Sequence, residues 1–208
     1  MSDVTQAKLL VIACGALARE IVWLKNNGLE HSSLWSQMDL QCLDAELHNT
    51  PKLIPAKLRA KIAENRGKYQ HIFVAYGDCG TGGEIDQLLA EENIERLPGA
   101  HCYAFFAGEH QFSALAEQEL GTFYLTDFLV EHFERLVIRG LQLDKHPELR
   151  QQFFAHYKKL VYLSQRQEQK LVLAAQKAAD YLDLVFQHHH CGYGDLHTAL
   201  DAQILKLS

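Results

Sequence analysis

At 208 residues, with 48% hydrophobic and 22% charged side chains, the chain has the make-up of a folded globular protein long enough to bury a core. A net charge of -6 and a pI near 6.0 exclude the basic footprint of a nucleic-acid or anionic-membrane binder. Five cysteines are an odd number in a chain too long to need disulfide staples, so the expectation is a cytoplasmic protein with its thiols free. The stretch Leu10-Val11-Ile12-Ala13-Cys14-Gly15 has the outline of a lipoprotein cleavage box. Its apolar run of about five residues is shorter than the roughly 7–15 of a signal core, and Asp3 sits where the leader should be basic, so export is not expected. No apolar run approaches the roughly 18 residues of a membrane span.

Strand and helix patterns alternate along the chain. Lys8 to Ala13 predicts a strand, and Ala16 to Asn26 a helix that stops at Asn27-Gly28. Trp35 to Leu40 predicts a second strand, followed by Cys42, His48, Asn49 and Pro51, and then a helix over Ile54 to Asn65. His71 to Tyr76, β-branched and aromatic, is the clearest strand. The run Gly77-Asp78-Cys79-Gly80-Thr81-Gly82-Gly83 leads from it into a helix over Glu84 to Glu92. Ile94 to Leu97 reads as a short strand and Cys102 to Gly108 as a loop or helix start. Thr122 to Leu125 is a strand, after which Asp127 is placed to cap a helix over Phe128 to Arg139. Lys159 to Ser164 and Leu184 to His188 are strands around a helix over Gln167 to Tyr181, with the His188-His189-His190 tract at the end of the second. A last helix starts near Leu196. The pattern predicts one α/β domain over residues 1–208, doubly wound, with a mostly parallel sheet and helices on both faces.

In such a sheet, ligands bind where the carboxyl ends of the strands converge. Cys14, Cys79 and Cys102 each follow a predicted strand, so the three thiols are the expected metal ligands. They form no C-x-x-C pair, which excludes a local zinc ribbon or thioredoxin-type site. Ligands from distant loops can hold a zinc ion with one position open, or an iron–sulfur cluster, and spacing does not choose between these cofactors. Gly15, Gly80, Gly82 and Gly83 are expected to bring backbone close to the ligand. The glycine-rich run matches neither the Walker nor the dinucleotide-binding pattern. His101 is the candidate proton carrier beside Cys102, and Glu20 and Asp78 are candidate acid–base carboxylates; each of these carboxylates, like Asp127, has a cap or surface charge as its alternative role. Cys42 and His48 are weaker candidates for a fourth ligand, with a core position expected for Cys42, and Cys191 is assigned to a loop. A metal-free enzyme is the rival reading, with Cys79 as nucleophile and His101 as base. In a non-enzymatic binding module the cysteines would serve only in packing.

Cys14-Gly15-Ala16-Leu17 with Glu20, Leu47-His48-Asn49, Tyr76 to Gly83, His101-Cys102-Tyr103, Phe106-Ala107-Gly108, and Gly121 to Phe128 together resemble the prokaryotic family labelled domain of unknown function 1638. The resemblance extends over His146-Pro147-Glu148-Leu149 and Leu160-Val161-Tyr162-Leu163, nearly the whole chain. It implies a cytosolic protein whose genes lie near corrinoid-dependent methyl-transfer systems. A small methylated or thiol substrate and a corrinoid methyl-transfer protein as partner are therefore expected, either for a transferase or for a binding module. Ala104 stands where the family pattern leads one to expect an acidic residue.

Overall fold

The structure is a computed structural model that describes residues 9–27 and 37–206. Lys8, Gly28, Trp35 and the end of the last helix, each named in a sequence expectation, lie outside the described residues. The described chain divides into two compact units, one formed by residues up to Cys102 and again from Leu196, the other by Tyr103–Asp195. Each has its own all-parallel sheet with helices, so the α/β, doubly wound class holds, with the strands shared between two sheets.

In the first unit the strands are β1 (Leu9–Cys14), β2 (Met38–Leu43), β3 (His71–Ala75) and β4 (Glu95–Arg96), in the order β2-β1-β3-β4. All six β1 residues are buried, the signature of a central parallel strand covered on both faces. Register is fixed on both sides, with Ala13 opposite Cys42 of β2 and Ala75 of β3. Helix α1 (Ala18–Asn27) follows a 3-10 turn at Gly15–Leu17, α2 (Ile54–Asn65) follows β2, and α3 (Glu84–Glu92) follows β3. The second strand begins later than the sequence suggests, so Cys42 lies inside it on the sheet edge and is exposed, not in the core. Between β2 and α2 the chain makes two 3-10 turns, Ala45–Asn49 and Pro51–Leu53.

Helix α4 (Cys102–Ala107) begins at the last residue of the first unit. The second unit then has α5 (Glu109–Gln118), which the sequence reading did not place, and strands β5 (Thr122–Thr126), β6 (Lys159–Ser164) and β7 (Val185–His190) in that spatial order. Alternate residues of β6 feed opposite faces. Leu160 and Tyr162 pack with Leu125, Phe133 and helix α8 (Gln169–Leu182), preceded by α7 (Leu149–Phe154), while Val161 and Leu163 pack with Tyr124 and Leu115. The expected long helix after β5 is instead α6 (Asp127–Glu131) followed by a π-helical turn at Glu134–Arg139. Its cap is Thr126, whose hydroxyl accepts from Leu129 N, and not Asp127. His189 and His190 belong to β7, not to a loop after it. Helix α9 (Gly194–Lys206) closes the described chain.

Asp127 has a different task from capping. Its carboxylate is fully buried and accepts from the Tyr162 hydroxyl at 2.6 Å, from Gln165 N and Arg166 N at 3.0 Å, and from Arg166 Nε at 2.9 Å. Removing one partner of a buried charge network leaves the rest unpaired in low dielectric. Asp127→Ala should therefore destabilise the protein by about 3–5 kcal/mol, whereas Glu168→Ala, at the exposed rim of the same arginine, should change stability far less because solvent screens that pair. Urea unfolding of the two variants checks the difference.

Candidate metal centre

The four strands of the first sheet deliver one potential ligand each to its carboxyl edge. β1 ends in Cys14, the turn after β2 carries His48, the loop after β3 carries Cys79, and Cys102 follows β4. One ring nitrogen of His48 and the sulfurs of Cys79 and Cys102 lie within 4.8 Å of one another. Cys14 adjoins this group through His48, its sulfur 3.8 Å from Nδ1. The sheet order reverses direction between β1 and β3, so Cys14 and Cys79 flank the switch point where α/β sheets bind ligands.

Local chemistry explains the convergence. Gly77 lies so close to the other loop that an added Cβ would stand 3.1–3.2 Å from the backbone of His101. Two hydrogen bonds then clasp the loops together, Asp78 N to Gly99 O at 3.3 Å and Cys79 N to Ala100 O at 2.9 Å. The Asp78 side chain turns inward on its own loop and accepts from Thr81 Oγ1 at 2.7 Å, Gly83 N at 2.8 Å and Gly82 N at 3.1 Å. Although partial burial works against its charge, these donors hold the Asp78 pKa below the usual carboxylate value. The loop so formed places Cys79 itself at φ 51, a left-handed backbone that a side chain makes costly. Strain of this kind is retained when surrounding contacts impose it, and here it aims a thiol.

The electrostatics are those of an ion pair. Hydrogen bonding with Cys102, opposed by burial and helped by His48, lowers the Cys79 pKa to about 5. Burial disfavours the charged form of His48, but hydrogen bonds and the fields of Cys14 and Cys79 override it and raise the pKa to about 11. Cys102 is pushed well above an ordinary thiol, first by its bond to Cys79 and then by burial. His48 Nδ1 faces Ala45 O at 3.1 Å, and Nε2 is buried with no hydrogen-bond partner among the described residues. A backbone carbonyl at one ring nitrogen is the usual way a ligating histidine is oriented, with the other nitrogen left for the metal. Tyr76 stacks on His48 with ring centroids 6.2 Å apart, and its hydroxyl is likewise buried without a partner.

The other residues singled out from sequence have distinct positions. Glu20 is buried in the first turn of α1, and His101 is exposed beside the clasp. Gly15 packs against Leu43 O and Gly80 against Pro51, while Gly82 and Gly83 have open space where a side chain would project. Cys191 is half-buried in the second unit, beside its smaller apolar cluster. His48 was the weakest of the candidates now found together. The signal that marks it is its place just past the end of β2, equivalent to that of the cysteines beyond their own strands. Because Gly77 sets the spacing of the two cysteine loops, Gly77→Ala should weaken whatever divalent-metal binding the unsubstituted chain shows at this group tenfold or more, about 1.4 kcal/mol, while circular dichroism stays unchanged. Competition with a chromophoric chelator measures this.

No curated protein and no solved structure matches the chain. A family model described as "Protein of unknown function (DUF1638)" matches residues 42–200. The matched span contains His48, Cys79 and Cys102, and it leaves Cys14 outside. It covers well over half of the 208 residues, and the chain belongs to the DUF1638 family.

Proposed function

We propose that the protein binds one zinc ion through His48, Cys79 and Cys102, with Cys14 at the margin of the site, and uses it to activate a small thiol or methylated substrate. The observation that carries this reading is His48 Nε2, a buried nitrogen without a partner in a site where two thiols approach the same ring. A mixed nitrogen and sulfur set suits zinc, whereas iron–sulfur clusters are usually held by four cysteines. Three protein ligands leave a coordination position for a substrate, and zinc there lowers the pKa of a bound thiol or water. The unpartnered Tyr76 hydroxyl is available as a hydrogen-bond donor to a group in that position.

A second reading rests on the Cys79–His48 ion pair, since a thiolate formed near pH 5 beside a protonated imidazole is also the resting state of a cysteine nucleophile. In this version His48 stands where the sequence suggested His101. Zinc content and alkylation separate the two. A zinc protein purifies with at least one equivalent and its Cys79 resists iodoacetamide until chelated; a nucleophile has no metal on its thiols and a single fast-reacting one at Cys79. Brown protein containing iron would replace zinc with a cluster.

Substitution gives the sharper test. Cys79→Ser, Cys102→Ser and His48→Ala should each abolish the thiolate-bound zinc, read as the sulfur-to-metal absorption of the cobalt-loaded protein, and Cys42→Ser and Cys191→Ser should retain it, with the fold preserved in all five. Retention of that sulfur-to-metal absorption by the Cys79 and Cys102 variants would overturn the assignment. Cys14→Ser measures whether the marginal thiol adds to affinity.

The pH dependence follows from the ion pair. Between pH 6 and 8, Cys79 is above its pKa of about 5 and carries no proton, His48 is below its pKa of about 11 and carries one, and Cys102 is raised and carries one. Metal must displace the last two. Zinc affinity should rise with pH, with a slope of about two protons per ion, and release of the same number should be seen calorimetrically in buffers of different ionisation enthalpy.

A further inference from the structure

The histidine tract on β7 forms a cluster that the centre above does not use. Residues two apart on a strand share a face, and the register places His188 opposite Tyr162 and His190 opposite Ser164. These four side chains meet. His188 Nε2 is 2.9 Å from Ser164 Oγ, His190 Nδ1 is 3.0 Å from the same oxygen, and the Tyr162 ring stacks on His188 at 5.1 Å with an interplanar angle of 17°. Ser164 and Tyr162 are fully buried, whereas His188 and His190 are exposed. His189 points to the other face, where it meets Gln187.

We propose that His188 and His190 chelate a divalent transition-metal cation of the zinc class at the carboxyl edge of the β5-β6-β7 sheet. Two nitrogens that contact one hydroxyl oxygen cannot be further apart than the sum of those contacts, so modest ring rotations bring both to a single ion. The rings are already oriented by the floor beneath them, because Tyr162 is anchored by its hydrogen bond to Asp127 and Ser164 ends the buried central strand. Charge also favours a cation. The same edge carries Asp127, Glu131 and Glu168 against Arg166 and Lys170, an excess of carboxylate. Among the described residues the guanidinium is engaged by all three of those acids, and Lys170 pairs with Glu168.

Acyl transfer by Ser164 is disfavoured by the backbone. The amides that follow it, Gln165 N and Arg166 N, are the natural donors to an oxyanion, and both are taken by Asp127. Its hydroxyl is also buried beneath the two imidazoles.

The experiment is zinc titration of the full chain by calorimetry, on the wild type, His188→Gln/His190→Gln, each single variant and Cys79→Ser. The expected result is two zinc equivalents in the wild type and one in the double histidine variant. Cys79→Ser should keep the equivalent that the histidine variant loses. Each single histidine variant should weaken that equivalent at least tenfold, because one imidazole is not a chelate. Cobalt gives an independent reading, with intense sulfur-to-metal absorption remaining in the histidine variant and only weak visible bands in Cys79→Ser. Equal zinc stoichiometry and affinity in the wild type and the double histidine variant would overturn the proposal. One equivalent that depends on the histidines alone would uphold it while refuting the thiolate centre.

Discussion

The clasp between two loops is the contact on which the candidate centre depends. Cys79 and Cys102 are separated by a helix and a strand, yet their loops share two backbone hydrogen bonds and a near contact at Gly77. A β-carbon at that position would press on the His101 backbone at 3.1–3.2 Å, and the loops would have to shift apart by a few tenths of an ångström. The two cysteine loops are therefore held by main-chain contacts, and a metal would not be required to gather them. A site preorganised in this way spends little of its binding free energy on ordering ligands. The left-handed backbone at Cys79 is the local cost, set against the loop hydrogen bonds centred on Asp78.

The two ends of the charge scale in this protein are handled differently. Asp127 is fully buried and reaches four donors, so its charge is spread over rigid backbone amides, a phenol and a guanidinium. In the first unit Cys79, Cys102 and His48 lie close together, and they shift one another's pKa values in opposite directions. The first arrangement fixes a side chain in place through many contacts. The second fits groups that exchange protons for a ligand.

Much of this was legible in the sequence because parallel sheets have a strong signature. The continuous apolar run of β1, the β-branched β3 and the KLVYLS run of β6 marked central strands, and the helices over 54–65 and 84–92 ended where predicted. Edge strands were less clear. β2 carries Asp39, Gln41 and an exposed Cys42, so its pattern gave a shifted start and a wrong burial for that cysteine. His48 was underweighted for a related reason: a 3-10 turn of five residues has no periodicity to place a side chain. The carboxylate of Asp127 looked like a cap because it follows a strand, and only tertiary contacts from β6 and its following loop reveal that it is a buried anchor. The π-helical turn has no sequence signal that we can identify.

The first unit is discontinuous. Its final segment begins at Leu196, after the whole of the second unit has been synthesised, and within that segment Leu196 and Leu200 are buried and Lys206 pairs with Glu95. During translation the sheet that carries His48, Cys79 and Cys102 emerges long before the helix that completes its unit. The second unit, made of one uninterrupted stretch, has every contact it needs as soon as it leaves the ribosome. Chain order therefore allows the later-made unit to close first, while the thiols made earlier lie in a unit whose last segment is still to come. For a cell, that interval would leave these cysteines more open to oxidation than they are once buried.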